Sequence, residues 1–123
     1  MKLRPTIIAL LLLAATPLQA QAPSSPLEDG LARLSEILGA LHYLRGICNG
    51  PEGNRWRNEM QALVEAEGAN TDRKARMIAS FNRGYAGYQQ TYRTCTPAAD
   101  LAVRRYLDEG TKLSREVTAR YSN

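Results

Sequence analysis

Between Phe81 and Cys95 the chain reads FNRGYAGYQQTYRTC, and no other stretch restricts the fold so tightly. Phe81, Tyr85, Tyr88, Tyr92 and Cys95 recur at steps of four, three, four and three, which puts them on one face of a helix. A second line at the same spacing, Ser80, Gly84, Gly87 and Thr91, is made only of small residues. A glycine inside a helix costs roughly 1 kcal/mol relative to alanine, so the pair predicts a second helix passing very close. The aromatic line predicts a core, with a surface on which ligands stack as its alternative.

The flanking sequence supplies partners for that helix. Ser25, Pro26 and Glu28 form a helix start, and Leu27, Leu31, Leu34, Leu38, Leu41 and Cys48, supported by Ile37 and Leu44, continue an apolar line until Asn49-Gly50-Pro51 stops it. A short second helix begins near Asn54, turns Trp56, Met60, Leu63 and Val64 inward, and ends at Gly68. Asn70 or Thr71 caps the third, which runs through Met77 and Ile78 into the aromatic line and ends around Cys95. Thr96-Pro97 starts the fourth, which buries Ala99, Val103, Tyr106, Gly110, Leu113 and Val117, with Leu101 and Leu107 alongside. No segment reads as a strand. The fold expected is all-α, a small antiparallel four-helix bundle in up-down-up-down order, because connections this short join neighbouring helices.

The amino terminus reads as a targeting segment. Lys2 and Arg4 precede an apolar run from Thr6 to Ala15, and Leu18-Gln19-Ala20 resembles a signal-peptidase site. The run is shorter than the roughly 20 residues a permanent span needs. Residues 1–20 are therefore expected to be a signal peptide, 21–25 a disordered lead and 26–121 one helical domain. Export to the periplasm follows, with no membrane span after cleavage. Removing Lys2 and Arg4 lowers the net charge from +4 to about +2, too little to argue for nucleic acid.

Cys48 and Cys95 are the two cysteines of the chain. In an exported protein an even count predicts a disulfide. In the up-down-up-down order the first and third helices point the same way, so both cysteines fall at one end of the bundle. A redox pair is the alternative, but the spacing is not C-x-x-C.

Catalytic and metal patterns are sparse. His42 is the lone histidine, beside the leucine line, where a hydrogen-bonded structural role is expected. No G-x-S-x-G, H-E-x-x-H, E-x-x-H pair or C-x-x-C-H occurs, so neither a metal nor another cofactor is expected. Glu52, Glu59 and Glu109 are the carboxylates a hydrolase would use, yet a tightly packed bundle of this size predicts no large cleft, and no enzyme is expected. A polar-aromatic set gathers towards the disulfide end: His42, Tyr43, Arg45, Trp56, Arg57, Asn82, Gln89, Arg93 and Arg105. It reads as a structural network or a recognition surface, since aromatics and arginines dominate binding hot spots. Arg45 lies almost on the leucine line and requires an acidic or carbonyl partner, for which Asp100 is at the right height. Arg55 and Arg57, in the first turn of the second helix, are expected to reach Glu52 or Glu59, or to face an anionic partner.

A second surface follows from lengths. The second helix spans only about 20 Å against roughly 35 Å for the others. The shortfall predicts an apolar groove at the end opposite the disulfide, lined by Leu31, Leu34, Met77, Ile78, Val117 and Tyr121, unless the Gly68–Thr71 connection folds over it.

His42-Tyr43-Leu44-Arg45-x-x-Cys48, Trp56-Arg57-x-x-Met60, Phe81-Asn82-Arg83-Gly84-Tyr85, Thr91-Tyr92-Arg93-x-Cys95-Thr96 and Arg105-Tyr106-x-x-Glu109-Gly110 together resemble a small exported family of alphaproteobacteria. The resemblance covers essentially the whole chain after the leader. It implies association with periplasmic L,D-transpeptidases, the enzymes that cross-link peptidoglycan or tether outer-membrane proteins to it, and implies no enzymatic activity. The expected function is a periplasmic helical adaptor supporting cell-envelope assembly. Its alternatives are a binding module for a peptidoglycan fragment or another anionic envelope ligand, using Arg57, Arg93 and the aromatics, and a small hydrolase relying on Glu109 or Glu52.

Overall fold

A computed structural model describes residues 24–121; the signal-peptide reading of residues 1–20 and the start of the expected lead lie outside them. Four helices follow in order: α1 (Pro26–Ile47), α2 (Arg55–Ala66), α3 (Thr71–Thr91) and α4 (Pro97–Tyr121). The described residues contain no strand. The last two residues of the expected lead are tied down. The Ser25 hydroxyl accepts the Glu28 N–H and caps α1, and the Ser24 hydroxyl donates to the Asp29 carboxylate.

The helix ends follow their residues. Asn49 takes a left-handed φ of 55°, and the Gly50 N–H reaches the Arg45 carbonyl, so α1 ends in a Schellman closure with asparagine in the usual glycine place. Thr96 caps α4 by accepting the Ala99 N–H, with Pro97 at the first position. α3 stops at Thr91, short of the expected end near Cys95. Tyr92 is extended (φ −122°, ψ 122°), and the chain must stay open before Pro97. Cys95 therefore leaves the aromatic line and is exposed. It is nonetheless joined to Cys48, and no described cysteine is free.

The bundle has the expected directions but an unequal packing. Glu28 meets Arg73 and Cys48 meets Cys95, so α1 and α3 run parallel. Gly30 lies beside Val117 and Arg33 beside Glu109, so α4 runs back along α1. No Cα of α4 comes within 8 Å of a Cα in α2 or α3, whereas α1 packs against all three. α1 is thus the axis, and its sequence explains why. Leu31, Leu34, Ser35, Ile37, Leu38, Gly39, Ala40, Leu41 and Leu44 are buried, covering every side of the helix.

The close approach inferred from the glycines exists, between α1 and α3. A Cβ on Gly84 would sit 2.1 Å from the Glu36 carbonyl oxygen, and one on Gly39 would sit 2.0 Å from that of Phe81. The two backbones touch, each through the other's glycine. Ser35 and Ser80, four residues earlier on each helix, are likewise buried. Gly87 differs from the expectation: nothing lies within 4 Å of its Cβ position, and both it and Thr91 are exposed, because the small line turns away from α1 beyond Gly84.

The expected groove opposite the disulfide is closed. Leu31, Met77 and Val117 are 0–4% exposed and belong to the core. Gly68, at φ 58°, turns the connection back, and Arg73 at the start of α3 donates to Glu67 at 2.8 Å while pairing with Glu28. This clamp seals the end where α2 falls short. Ile78 and Tyr121 are about half exposed and point away from the core they were expected to edge.

Candidate functional site

Because α4 touches neither α2 nor α3 along the backbone, an opening lies on each side of it. The larger, about 430 Å³, runs between α2 and α4 over the axis helix. Its floor is Leu34, Ile37, Leu38 and Leu41, spaced so that they face one way from α1. One wall is Arg55, Trp56, Glu59 and Leu63 of α2; the other is Tyr106, Leu107, Gly110, Thr111 and Ser114 of α4. The Arg55 guanidinium lies over the Trp56 ring, 5.0 Å from its centroid, so cation–π attraction holds the arginine against this wall. Glu52 closes one end, where Arg45 grips it through Nε at 2.9 Å and a second, parallel hydrogen bond.

The second opening, about 380 Å³, lies between α3 and α4. Tyr88 and Tyr92 form its α3 wall, with ring planes 11° apart and centroids 6.1 Å apart. The Tyr88 and Tyr106 hydroxyls share a hydrogen bond of 2.8 Å across it. Burial and that neighbour push the Tyr88 phenol up to about 12, so it keeps its proton. Arg33 donates to both oxygens of Glu109, at 2.8 and 3.0 Å, and to Glu36 at 3.3 Å.

The expected recognition set does not converge on one site. His42 and Tyr43 sit in the α1/α3 seam: the His42 ring packs on Phe81 and Tyr85, and Tyr43 meets Tyr85 edge-on while its hydroxyl donates to the Tyr92 carbonyl. His42 Nδ1 finds no partner among the described residues, so the histidine is packed rather than hydrogen-bonded, contrary to expectation. Burial, with Arg57 nearby, lowers its pKa from 6.5. Arg45 pairs with Glu52, and not with Asp100, which Arg104 engages one turn along α4. Neither Arg55 nor Arg57 forms an ion pair with Glu52 or Glu59; the first lies on Trp56 and the second acts on His42 through space. Trp56 is buried and lines the α2/α4 groove, while exposed Arg105 lines the α3/α4 cleft. Asn82, Gln89 and Arg93 are exposed and line neither opening.

Of the candidate carboxylates, Glu52 and Glu109 are each held below the usual range by a hydrogen-bonded arginine. A general acid needs the opposite environment. Glu59 stands exposed on the groove wall. Among the described residues no three His, Cys, Asp or Glu side chains gather to hold a metal ion, and no helix is long and apolar enough to cross a membrane.

Leu101 and Leu107, expected beside the buried face of α4, are instead exposed and line the two openings, and Arg33, which carries much of this geometry, has no signal of its own in the sequence. Arg33 has a local acid, Glu36, at the i+3 position, which hid its cross-helix grip on Glu109. No solved structure and no curated protein matches the chain. Residues 26–121, the whole helical region, match the family described as "protein of unknown function (DUF2385)", and the chain belongs to that family.

Proposed function

We propose that this protein is an exported helical adaptor of the cell envelope, binding a periplasmic L,D-transpeptidase through the α2/α4 groove. The observation that carries the proposal is the groove along α1, floored by leucines at helical spacing and walled by Trp56, Tyr106 and Leu107. An amphipathic helix of the partner fits such a groove, laying residues at i, i+3, i+4 and i+7 onto the leucine floor. The aromatic walls supply the anchors that concentrate binding energy. The Cys48–Cys95 disulfide supports an oxidising compartment, and the signal-like first twenty residues support export. The transpeptidase as partner, and an alphaproteobacterial origin, rest on the motif resemblance.

Titration of the chain with a purified periplasmic L,D-transpeptidase tests the reading. Leu107→Lys places a charge on the wall at a residue already 37% exposed, so folding should survive. Loss of binding by this variant, with Ile78→Lys outside the groove binding normally, is the expected result. Unchanged binding by a normally folded Leu107→Lys protein would overturn it.

A further inference from the structure

The α3/α4 cleft has a chemistry of its own. Tyr88 and Tyr92 stack on one another with nearly parallel rings, and Tyr106 meets Tyr88 edge-on, so one aromatic cluster lines the cleft. The α4 side is lined by Ala98, Leu101, Ala102 and Tyr106, with the two alanines leaving room between the larger side chains. Several of its polar groups are already positioned. The Tyr88 and Tyr106 hydroxyls fix each other, and Tyr43 fixes the backbone of Tyr92. Of the two arginines lining the cleft, Arg33 is spent on Glu109 and Glu36. Arg105 takes part in no ion pair or hydrogen bond among the described residues, and stands exposed at the mouth.

An aromatic cluster beside small residues suits a pyranose, whose C–H face is apolar and packs against the electron-rich face of a phenol ring. The sugar's hydroxyl edge then meets the tyrosine hydroxyls, which both donate and accept. The volume of about 380 Å³ lies within the range of small-molecule sites. An arginine without a counter-charge at the mouth selects for an anion, and its planar fork matches a carboxylate. We propose that the α3/α4 cleft is a binding site for a pyranose sugar carrying a carboxylate. It opens on the other side of α4 from the α2/α4 groove; α1 contributes to both, and Tyr106 is the one residue that lines both.

The test is an NMR titration of the full chain, following the amides of Ala98, Ala102 and Arg105, with Leu38 and Thr111 reporting on the other groove. Glucuronic acid and N-acetylmuramic acid are the acidic probes; glucose and N-acetylglucosamine are their neutral controls. Saturable shifts confined to the cleft are expected, with the acidic sugars binding about tenfold more tightly, the usual worth of one charge-assisted hydrogen bond. Whichever acidic sugar binds better fixes how far the carboxylate stands from the ring. Arg105→Gln should bring acidic and neutral sugars to the same affinity, and Tyr92→Leu should weaken both classes. Arg105 has no partner to lose, so the first variant should melt like the parent. Absence of saturable shifts, equal affinity for acidic and neutral sugars, no effect of Arg105→Gln, or shifts only at Leu38 and Thr111 would each overturn the proposal. Leu107→Lys should leave sugar binding intact, so failure of the adaptor reading and failure of this one are distinguishable.

Discussion

Replacing Gly84 and Gly87 separately by alanine should move stability in opposite directions. Both substitutions add one methyl group to the same helix, three residues apart, and both gain the same roughly 1 kcal/mol of helix propensity. The difference between them therefore isolates what the methyl group meets. At Gly87 it meets nothing within 4 Å, so that variant should be more stable than the parent. At Gly84 it would sit 2.1 Å from the Glu36 carbonyl oxygen, a rigid backbone atom of the axis helix. Ordinary contact needs a gap more than an ångström wider, so α1 and α3 must separate along their tightest stretch. Overpacking of this kind typically costs about 1–3 kcal/mol. For a domain of this size each 1 kcal/mol moves the melting temperature by roughly 4–8 °C. Gly84→Ala should thus melt at least about 4 °C below Gly87→Ala in thermal circular dichroism, and Gly84→Leu lower again. Adding Gly39→Ala to Gly84→Ala should cost less than the sum of the two, because the first methyl group has already opened the gap for the second. Equal melting temperatures for the two single alanine variants, or a higher one for Gly84→Ala, would refute the backbone contact on which this reasoning rests.

Further outcomes follow from the disulfide and the titrating groups. Thiol labelling of the denatured, unreduced protein should find neither Cys48 nor Cys95 reactive, and Cys95→Ser should lower stability by roughly 2–5 kcal/mol in urea. His42 has a folded-state pKa below 6.5, so the stability it contributes is present above that value and is lost as the pH falls below it. The urea midpoint should therefore begin to decline just under pH 6.5, and His42→Leu should remove that part of the decline. Glu52 and Glu109 also have lowered folded-state values, so their contribution disappears in a more acid window, beginning below their ordinary 4.5. A midpoint flat between pH 7 and 5 in the parent protein would refute the assignment to His42.

Periodicity carried most of the fold and little of the site. The four helices, their caps at Ser25, Asn70 and Thr96, and the pairing of the cysteines follow from local signals that a single chain displays. The central place of α1 was less legible: Ile37 and Leu44 read as support for a single apolar line, while Gly39 and Ala40, which fill its other sides, carry no strong hydrophobic signal. The sites lie where helices fail to touch, and a gap has no periodicity of its own. Arg45 shows the difficulty: Glu52, across a turn, and Asp100, on α4, were both at suitable heights, and only the path of the chain chose between them. The Arg73 clamp that closed the expected groove depends on a three-residue turn whose direction Gly68 sets.

The Cys48–Cys95 bond divides the molecule in a way that helix packing alone does not. It closes a covalent ring around α2 and α3, and leaves α1 and α4 outside it as tails, each joined to the ring at one point. In the oxidised protein two helices are thus held by a loop that cannot open, and α1 packs against both of them as well as against α4. The fourth helix is held by its contacts with α1, by the grip of Arg33 on Glu109 and by one hydrogen bond between hydroxyls. α4 is accordingly the segment whose release requires the fewest broken restraints, and its amides should exchange first. It is also the wall common to both openings. A molecule seated in either one should hold α4 in place and so make the other opening more persistent, with Tyr106 lining both.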